Sequence, residues 1–406
     1  MKSDREIDHR GWCTCSAYEY LYDDSPRGSG SRRKPPGVVP LDLARNREHA
    51  DAGSPKVRTK NNFDSMRLVL AIRVIFSHAF PIARGSNATE PLFALTGGQT
   101  TIGDLSVWGF FVIGGNLIAQ SWLRSSNPWS YLKHRVARIY PGFIVLSCLS
   151  VLIVVPLLGP RDELWRIGVG RFLTDTMRLL PVPTPSIFRH NPTPNVLNGS
   201  LWSIHYEFWC YFFILISGMC GFLRYRAFLV ALLFEFIAWS VYLRITGWRP
   251  GGKLLGEVFG YPALWATVLP FFLAGALFHL YGGAKLVRKR YAVAALAVVI
   301  LSYFVPYGPQ VALPTVGAYA LLALAYAPRL NFLRLGRYGD FSFGVYLYAF
   351  PIEQILEMKA HGNLTPWDLF VLAVPITLGM GALSWFGVEK RFLSRAAQLK
   401  HEGLAT

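Results

Sequence analysis

Two basic side chains share one face of the first apolar segment in this 406-residue chain. Arg67 and His78 are eleven residues apart, which on an α-helix is roughly three turns and roughly 16 Å along the axis. Ionisable side chains exposed to lipid are costly, so both are candidate functional residues. Neutral imidazole accepts a proton near pH 7, which makes His78 a candidate general base. The alternative is an arginine that extends to the membrane surface and a histidine bonded to a neighbouring helix, but the shared face favours function.

A carboxylate and a pair of arginines stand in later segments. Glu207 lies about two turns into another apolar run, where it needs a partner, either an arginine or the imidazole of His78. Arg135 and Arg138 are three residues apart and are therefore neighbours on a helix. Paired guanidiniums can bind phosphate in a bidentate manner, although most such clusters serve only membrane topology. These residues together predict proton transfer and a phosphate site.

The composition indicates a membrane environment. Hydrophobic residues make up 52% of the chain, charged residues only 16%, and the mean hydropathy is +0.31. Soluble domains carry about 25% charged residues. The net charge of +17 could indicate nucleic acid, but the positive residues stand in short clusters between apolar runs, and we expect no nucleic-acid partner. Cys13 and Cys15 lack a second cysteine pair or a histidine cluster, so we expect no metal.

Apolar runs of bilayer length recur from Phe63 onward. They predict an all-α polytopic membrane protein with about ten transmembrane helices, because backbone groups in lipid must be bonded within their own segment. The runs are too long and too little alternating for a barrel. Those near residues 300 and 315 are short and predict either a tight hairpin or one broken span. The predicted spans are 63–82, 104–122, 141–159, 201–221, 227–246, 262–281, 291–306, 310–327, 341–357 and 368–388.

The distribution of Lys and Arg predicts the orientation. One set of loops carries four, two, four and three of these residues, at 123–140, 222–226, 282–290 and 328–340. The opposite set carries one, two, none and one, at 83–103, 247–261, 307–309 and 358–367. The positive-inside rule therefore predicts that both termini are cytoplasmic. We further predict a disordered basic tail over 1–60, a membrane domain over 61–395 and a short cytoplasmic tail over 396–406.

Six motifs follow one another between residue 62 and residue 395, namely Asp-x-x-Arg with Arg-x10-His (Asp64, Arg67, His78), Phe110–Ile118, Arg135–Pro141, Leu201–Phe208, Gly339–Tyr348 and Ser384–Lys390. In this order they resemble the bacterial acyltransferase-3 family of membrane O-acyltransferases. Three positions depart from the family pattern. Gly114 and Asn116 replace the usual Ser and Phe, and Ala349 stands where many members have His.

The resemblance implies transfer of an acyl group, with acetyl the first expectation, from cytoplasmic acyl-CoA to a hydroxyl of a glycan or glycolipid. It implies that His78 is catalytic, as a general base or a transient acyl carrier, and that Arg67 orients or charge-balances that site. It also implies that Arg135 and Arg138 hold the donor's phosphates. We further expect Glu207 to fix the tautomer of His78 or balance its charge. The protein would then be a multi-pass protein of the bacterial inner membrane.

Other functions remain to be weighed against acyl transfer. A transporter or flippase of a polar solute or glycolipid would also carry buried ionisable residues, but the two halves of the chain show no convincing repeat. The His-x4-Asp signature of lipid-directed acyltransferases fails, because Ala83 and Ile139 stand at the Asp positions. The chain also lacks a Gly-x4-Gly-Lys-Ser/Thr nucleotide motif. A non-catalytic scaffold would have little reason to place Arg67 and His78 on one face.

Overall fold

The computed structural model describes residues 62–125, 127–184, 186–250, 254–327 and 339–402, and across these ranges helices occur but no strand. The predicted tail over 1–60 lies outside them. The helices are α1 (Phe63–Arg84), α2 (Pro91–Leu95), α3 (Ile102–Arg124), α4 (Pro128–Leu158), α5 (Glu163–Ile167), α6 (Val169–Met177), α7 (Trp202–Met219), α8 (Arg226–Thr246), α9 (Leu254–Phe259), α10 (Pro262–Leu280), α11 (Lys289–Ser302), α12 (Gly308–Ala325), α13 (Ser342–Lys359), α14 (Pro366–Ser384) and α15 (Lys390–Glu402).

The all-helical membrane fold is confirmed. Each predicted span overlaps one helix, and seven segments of the described chain are long and apolar enough to cross a membrane. These seven are α1, α3, α4, α8, α10, α12 and the segment Pro366–Ala396. Of the other three, α11 has 14 residues, while α7 and α13 have 18 residues each and carry buried polar side chains. The number ten and the cytoplasmic termini stay predictions.

The third span differs most from its prediction. The sequence places a loop over 123–140 before this span, whereas the structure begins α4 at Pro128 and so includes both arginines in the helix. The local reason is that two residues stabilise the N-terminus of this helix. Pro128 stands at the first helical position, and the Asn127 side chain accepts a hydrogen bond from the Ser130 amide (2.7 Å). The charged first turns are therefore helical and can project their side chains in a fixed direction.

The Pro/Gly-rich break near residue 305 forms a hairpin between α11 and α12. Tyr307 adopts a left-handed conformation (φ 60°), and a Cβ added to Gly308 would lie 2.1 Å from the Ser302 carbonyl oxygen. Only glycine permits so close a return of the chain. Of the two alternatives left by the sequence, the structure therefore shows the hairpin.

The core of the bundle is the contact between α3 and α10. Both helices are mostly buried, together with α1, whereas α8 and α14 present most of their surface outward. A Cβ added to Gly115 would lie 2.0 Å from the Phe272 carbonyl oxygen, and one added to Gly275 would lie 2.0 Å from that of Val112. Small residues let two helix backbones approach closely where lipid provides no hydrophobic drive for association. This contact holds one wall of the site described below.

The α3–α10 contact predicts a difference between two adjacent glycines. Gly115→Ala should lower the melting temperature of the detergent-purified protein, because a methyl group forced against a backbone oxygen costs about 1–3 kcal/mol. Gly114→Ala is the matched control, since a Cβ there meets nothing within 4 Å. Its melting temperature should be unchanged or slightly raised. Equal destabilisation by both substitutions would contradict the close helix contact.

Candidate functional site

A cavity of about 300 Å³ opens where α1, α3, α4 and α7 meet the segment before α13. Its polar wall contains the guanidiniums of Arg67, Arg135 and Arg138, together with Glu207 and Asp340. We call it the arginine cavity. Three of the sequence-predicted site residues therefore line one space with the predicted carboxylate, although they are up to 140 residues apart in the chain.

Asp340 ties two of the three arginines together. Its Oδ2 accepts hydrogen bonds from Arg67 Nη1 (2.7 Å) and Arg138 Nη2 (2.5 Å), and its Oδ1 accepts one from the Ser342 hydroxyl. Burial works against the charged carboxyl, but Arg138 and Arg67 outweigh burial and hold the pKa of Asp340, which precedes α13, at about 2. Arg138 also lies 3.8 Å from Glu389 Oε2 in the π turn Trp385–Glu389 that joins α14 to α15. Arg138 is thus held by two carboxylates.

Arg135 has fewer hydrogen-bond and ion-pair partners than Arg138. One of its Nη atoms donates to the Ser121 hydroxyl (3.2 Å), while its Nε is buried without a hydrogen-bond partner. The guanidinium lies over the rings of Tyr131 and Tyr211, both 5.8 Å from the ring centroid. No carboxylate forms an ion pair with it among the described residues. Of the two arginines predicted to hold phosphate, Arg135 is the one whose charge is available to an anion.

Glu207 lies with the arginines and is not bonded to His78. Its Oε1 accepts a hydrogen bond from the hydroxyl of Tyr211, one turn later on α7 (2.5 Å). The side chain lines the arginine cavity as well as a smaller pocket behind it. The expected contact between Glu207 and His78 does not appear among the described hydrogen bonds. Glu207 therefore adds a carboxylate to the wall of the arginine cavity, and its role toward His78 stays a prediction.

His78 lies deeper in the bundle, toward the other end of α1. Its side chain is buried, Nδ1 has no hydrogen-bond partner, and the ring packs edge-on against Phe350 of α13 (centroids 5.3 Å apart). Glu353 is three residues further along α13, fully buried, with neither carboxylate oxygen bonded. Buried polar groups in proteins are normally hydrogen-bonded. The unsatisfied imidazole and carboxyl thus mark a place where a polar ligand would gain hydrogen bonds.

A strap formed by residues 191–198 covers this end of α1 and α13. Gln354 Nε2 donates to the carbonyls of Thr193 (2.8 Å) and Val196 (2.9 Å), and the Thr193 hydroxyl donates to the Pro81 carbonyl (2.7 Å). At its end, the Asn198 amide donates to the Leu347 carbonyl (2.8 Å). The long loop predicted over 160–200 is therefore ordered where it meets the helices that carry His78 and Glu353.

Comparison with known proteins decides the family. The acyltransferase-3 family, described as an acyltransferase domain, matches residues 60–386. The chain belongs to this family. A relative is the O-acetyl transferase of Shigella phage Sf6, 28% identical over 83% of this chain and 97% of that protein. Nodulation protein 10 of Rhizobium leguminosarum bv. viciae is 36% identical over 21% of this chain and 23% of its own. No solved structure matches the chain.

As an acyltransferase-3 protein, the chain is a multi-pass membrane acyltransferase, and its family motifs acquire physical meaning. Asp340 and Glu389, quoted above only as parts of motifs, are the carboxylates that fix Arg138. Asn116, one of the departures from the pattern, donates its amide to the Tyr326 hydroxyl (3.0 Å) and so links α3 to the end of α12. Gly114, another departure, borders open space.

The acyltransferase also has a site residue that the sequence analysis missed. Glu353 is an ionisable residue within a predicted span, which is the same signal that pointed to Glu207. Glu353 and Glu357 both follow the late motif Gly339–Tyr348 in the same helix and are buried. Applied evenly along the chain, the rule on intramembrane charges would have identified both.

Proposed function

We propose that the protein is an O-acyltransferase of the bacterial inner membrane that moves an acetyl group from acetyl-CoA to a hydroxyl of a surface or secreted glycan or glycolipid. The observation that carries this proposal is the arginine cavity, which places Arg67, Arg135 and Arg138 around one space at the end of the helix that carries His78. The printed name of the phage Sf6 relative supports acetyl as the acyl group. The acceptor class comes from the family resemblance.

The arrangement suits an anionic donor that enters at the arginines and points its thioester inward. CoA carries several phosphates, and guanidiniums bind phosphate oxygens through paired N–H groups. Arg135 supplies the uncommitted charge, whereas Arg67 and Arg138 share theirs with Asp340. The cavity of about 300 Å³ is of the size at which small-molecule sites begin. Arg67 therefore positions the donor on the face of α1 that leads to His78.

His78 would act on the acceptor hydroxyl. Its imidazole takes the hydroxyl proton as the oxygen attacks the thioester carbon, the carbon–sulfur bond breaks, and the imidazolium returns the proton to the CoA thiolate. Glu353, three residues after Phe350 on α13 and without a hydrogen-bond partner, would hold a neighbouring sugar hydroxyl. A transient acyl-imidazole is the other route, and it would leave a hydroxylamine-sensitive label on the protein.

The proposal is tested with purified protein in detergent, isotopically labelled acetyl-CoA and a glycan extract from cells that lack the gene. We expect labelled acetyl esters on the glycan fraction, identified by mass spectrometry and released by mild base. Transfer without any requirement for a CoA thioester would contradict the donor assignment. Uptake of a polar solute into proteoliposomes in the absence of acyl transfer would favour the transporter.

Arg135, as the arginine with an unpaired charge, predicts a specific kinetic phenotype. Arg135→Ala should raise the apparent KM for acetyl-CoA by about 10-fold, since a charge-assisted hydrogen bond contributes about 1.5–3 kcal/mol. The matched control is Lys133→Ala on the same helix, because Lys133 packs over Trp129 and does not line the arginine cavity. Steady-state kinetics at varied acetyl-CoA distinguish the two. An equal rise in KM for both variants would assign Arg135 to membrane topology alone.

A further inference from the structure

A second, much smaller pocket adjoins the arginine cavity on its inner side. It has a volume of about 30 Å³, a tenth of the arginine cavity's. The two spaces share four wall residues, Arg67, Phe110, Gly114 and Glu207. Gly114 stands at their junction and has no atom within 4 Å of where its Cβ would be, so the passage between the two is open. We call this second space the inner pocket.

The walls of the inner pocket are almost entirely apolar beyond the junction. Val107 and Phe111 come from α3, Ile204 from α7 and Phe272 from α10. The polar groups further in are three hydroxyls that already have hydrogen-bond partners: Ser342 donates to Asp340, and Ser203 Oγ lies 2.6 Å from the Tyr346 hydroxyl oxygen. The Tyr346 hydroxyl in turn donates to the Ser200 carbonyl (2.7 Å). Beyond the junction a charged group would lose its hydration, because the charged side chains of the wall, Arg67 and Glu207, lie at the junction itself.

The pocket is also rigid. Phe111 and Phe272 belong to the two helices that meet at Gly115 and Gly275, where the backbones are in direct contact. Neither helix can move toward the other, and Phe272 is fully buried behind the contact. Close-packed interiors resist the insertion of additional methylene groups. The two walls of the inner pocket formed by Phe111 and Phe272 are therefore fixed by the helix packing.

From these features we infer that the inner pocket receives the acyl group of the donor and restricts it to two carbons. The pocket is about a tenth as large as the arginine cavity, so it has room for a group of only a few atoms. The methyl and carbonyl of an acetyl group fit this room, whereas a butyryl chain exceeds it. A succinyl group, like the butyryl chain, is excluded by its length. The inference rests on the proposed donor and adds the selection of its acyl chain.

The position of the pocket suits the chemistry proposed for His78. Tyr346 forms part of its wall, and Phe350, which contacts His78, follows four residues later on the same helix. Four residues correspond to about 6 Å along a helix. His78 itself lines neither space, as far as the described residues extend. The wall of the inner pocket and the ring that contacts His78 are therefore about one helical turn apart along α13.

The test is competition binding to the purified protein, with radiolabelled acetyl-CoA as the probe and unlabelled CoA, acetyl-CoA, propionyl-CoA, butyryl-CoA and succinyl-CoA as competitors. We expect acetyl-CoA to compete at least 10-fold better than butyryl-CoA or succinyl-CoA, the discrimination typical of a chain-length limit in an apolar pocket. Binding of all thioesters with equal affinity would overturn the chain-length inference and leave the proposed function intact. Absence of binding by every CoA thioester would overturn both.

Two double variants test whether the wall of the inner pocket sets the preference for the acetyl group. Val107→Ala with Ile204→Ala removes methyl groups from the wall, and butyryl-CoA should then compete within about 2-fold of acetyl-CoA. Val112→Ala with Ile214→Ala deletes the same atoms from buried positions on the same two helices that do not line the pocket, and it should keep the acetyl preference. A widened variant that is folded, as judged by its melting temperature and CoA binding, yet keeps the wild-type preference would contradict the inference. Loss of the acetyl preference in the control variant Val112→Ala with Ile214→Ala would also contradict the inference.

Discussion

His78→Ala should reduce acyl transfer by at least about 100-fold, the lower end of what a positioned general base contributes. The substitution should leave the protein folded, because Nδ1 of His78 forms no hydrogen bond that its removal would break. Acetylation of the glycan fraction by purified protein, measured together with the melting temperature, separates catalysis from folding. Retention of full activity would end the role proposed for this residue.

Two further variants sharpen this result. His78→Gln fills the space beside Phe350 with a side chain that cannot accept a proton at neutral pH, and it should be as inactive as His78→Ala. His190→Ala removes an exposed histidine of the long loop and should retain wild-type activity. Equal losses in all three variants would indicate general sensitivity of the protein to histidine replacement instead of chemistry at His78.

Asp340→Asn should destabilise the protein by about 3–5 kcal/mol, since removal of one partner leaves a buried charge uncompensated. The amide keeps the shape of the side chain but leaves Arg67 and Arg138 without their shared carboxylate. The melting temperature of the purified protein reports the loss. The matched control is Asp162→Asn, which breaks an ion pair with Arg166 that is about half exposed on both sides. Exposed pairs contribute little, so its melting temperature should hardly change.

The stabilisation by Asp340 should also depend on pH in a defined direction. Because the pKa of Asp340 in the folded protein is about 2, below the value of about 3.9 in an unfolded chain, its contribution is complete above pH 4. It is lost as the pH falls through about 2. The difference in melting temperature between wild type and Asp340→Asn should thus be the same at pH 8 and pH 5. A difference that shrinks between those values would contradict the ion-pair assignment.

The sequence predicted the helices well because length and apolarity act locally. A run of bilayer length must be helical wherever it lies, so α1, α3, α8 and α10 begin and end within a few residues of their predictions. The exception is α4, whose first turns are charged. Within it, Arg138 is held by Asp340, 202 residues away in the chain, and a local pattern contains no information about such a partner.

The contents of the site were predictable only in part. Spacing paired Arg67 with His78 and Arg135 with Arg138, whereas the structure brings Arg67, Arg135, Arg138 and Glu207 around one cavity. The partner of Glu207 was open, because either an arginine or His78 satisfies a buried carboxylate, and the structure shows a tyrosine hydroxyl instead. The inner pocket could not be foreseen at all. Its volume depends on how closely two helices approach, which follows from three-dimensional packing and not from any single segment.

Asp340 has a consequence for the timing of the proposed reaction. An incoming CoA phosphate that reaches for Arg67 or Arg138 must compete with an anion that belongs to the protein itself. Binding of the donor is weakened by this competition, and after transfer the same carboxylate recovers its arginines as the spent CoA departs. The Asp340 carboxylate thus acts as an internal anion that competes with CoA phosphate for the two arginines. In an enzyme whose turnover is limited by product release, that ion shortens the residence of CoA and readies the cavity for the next donor.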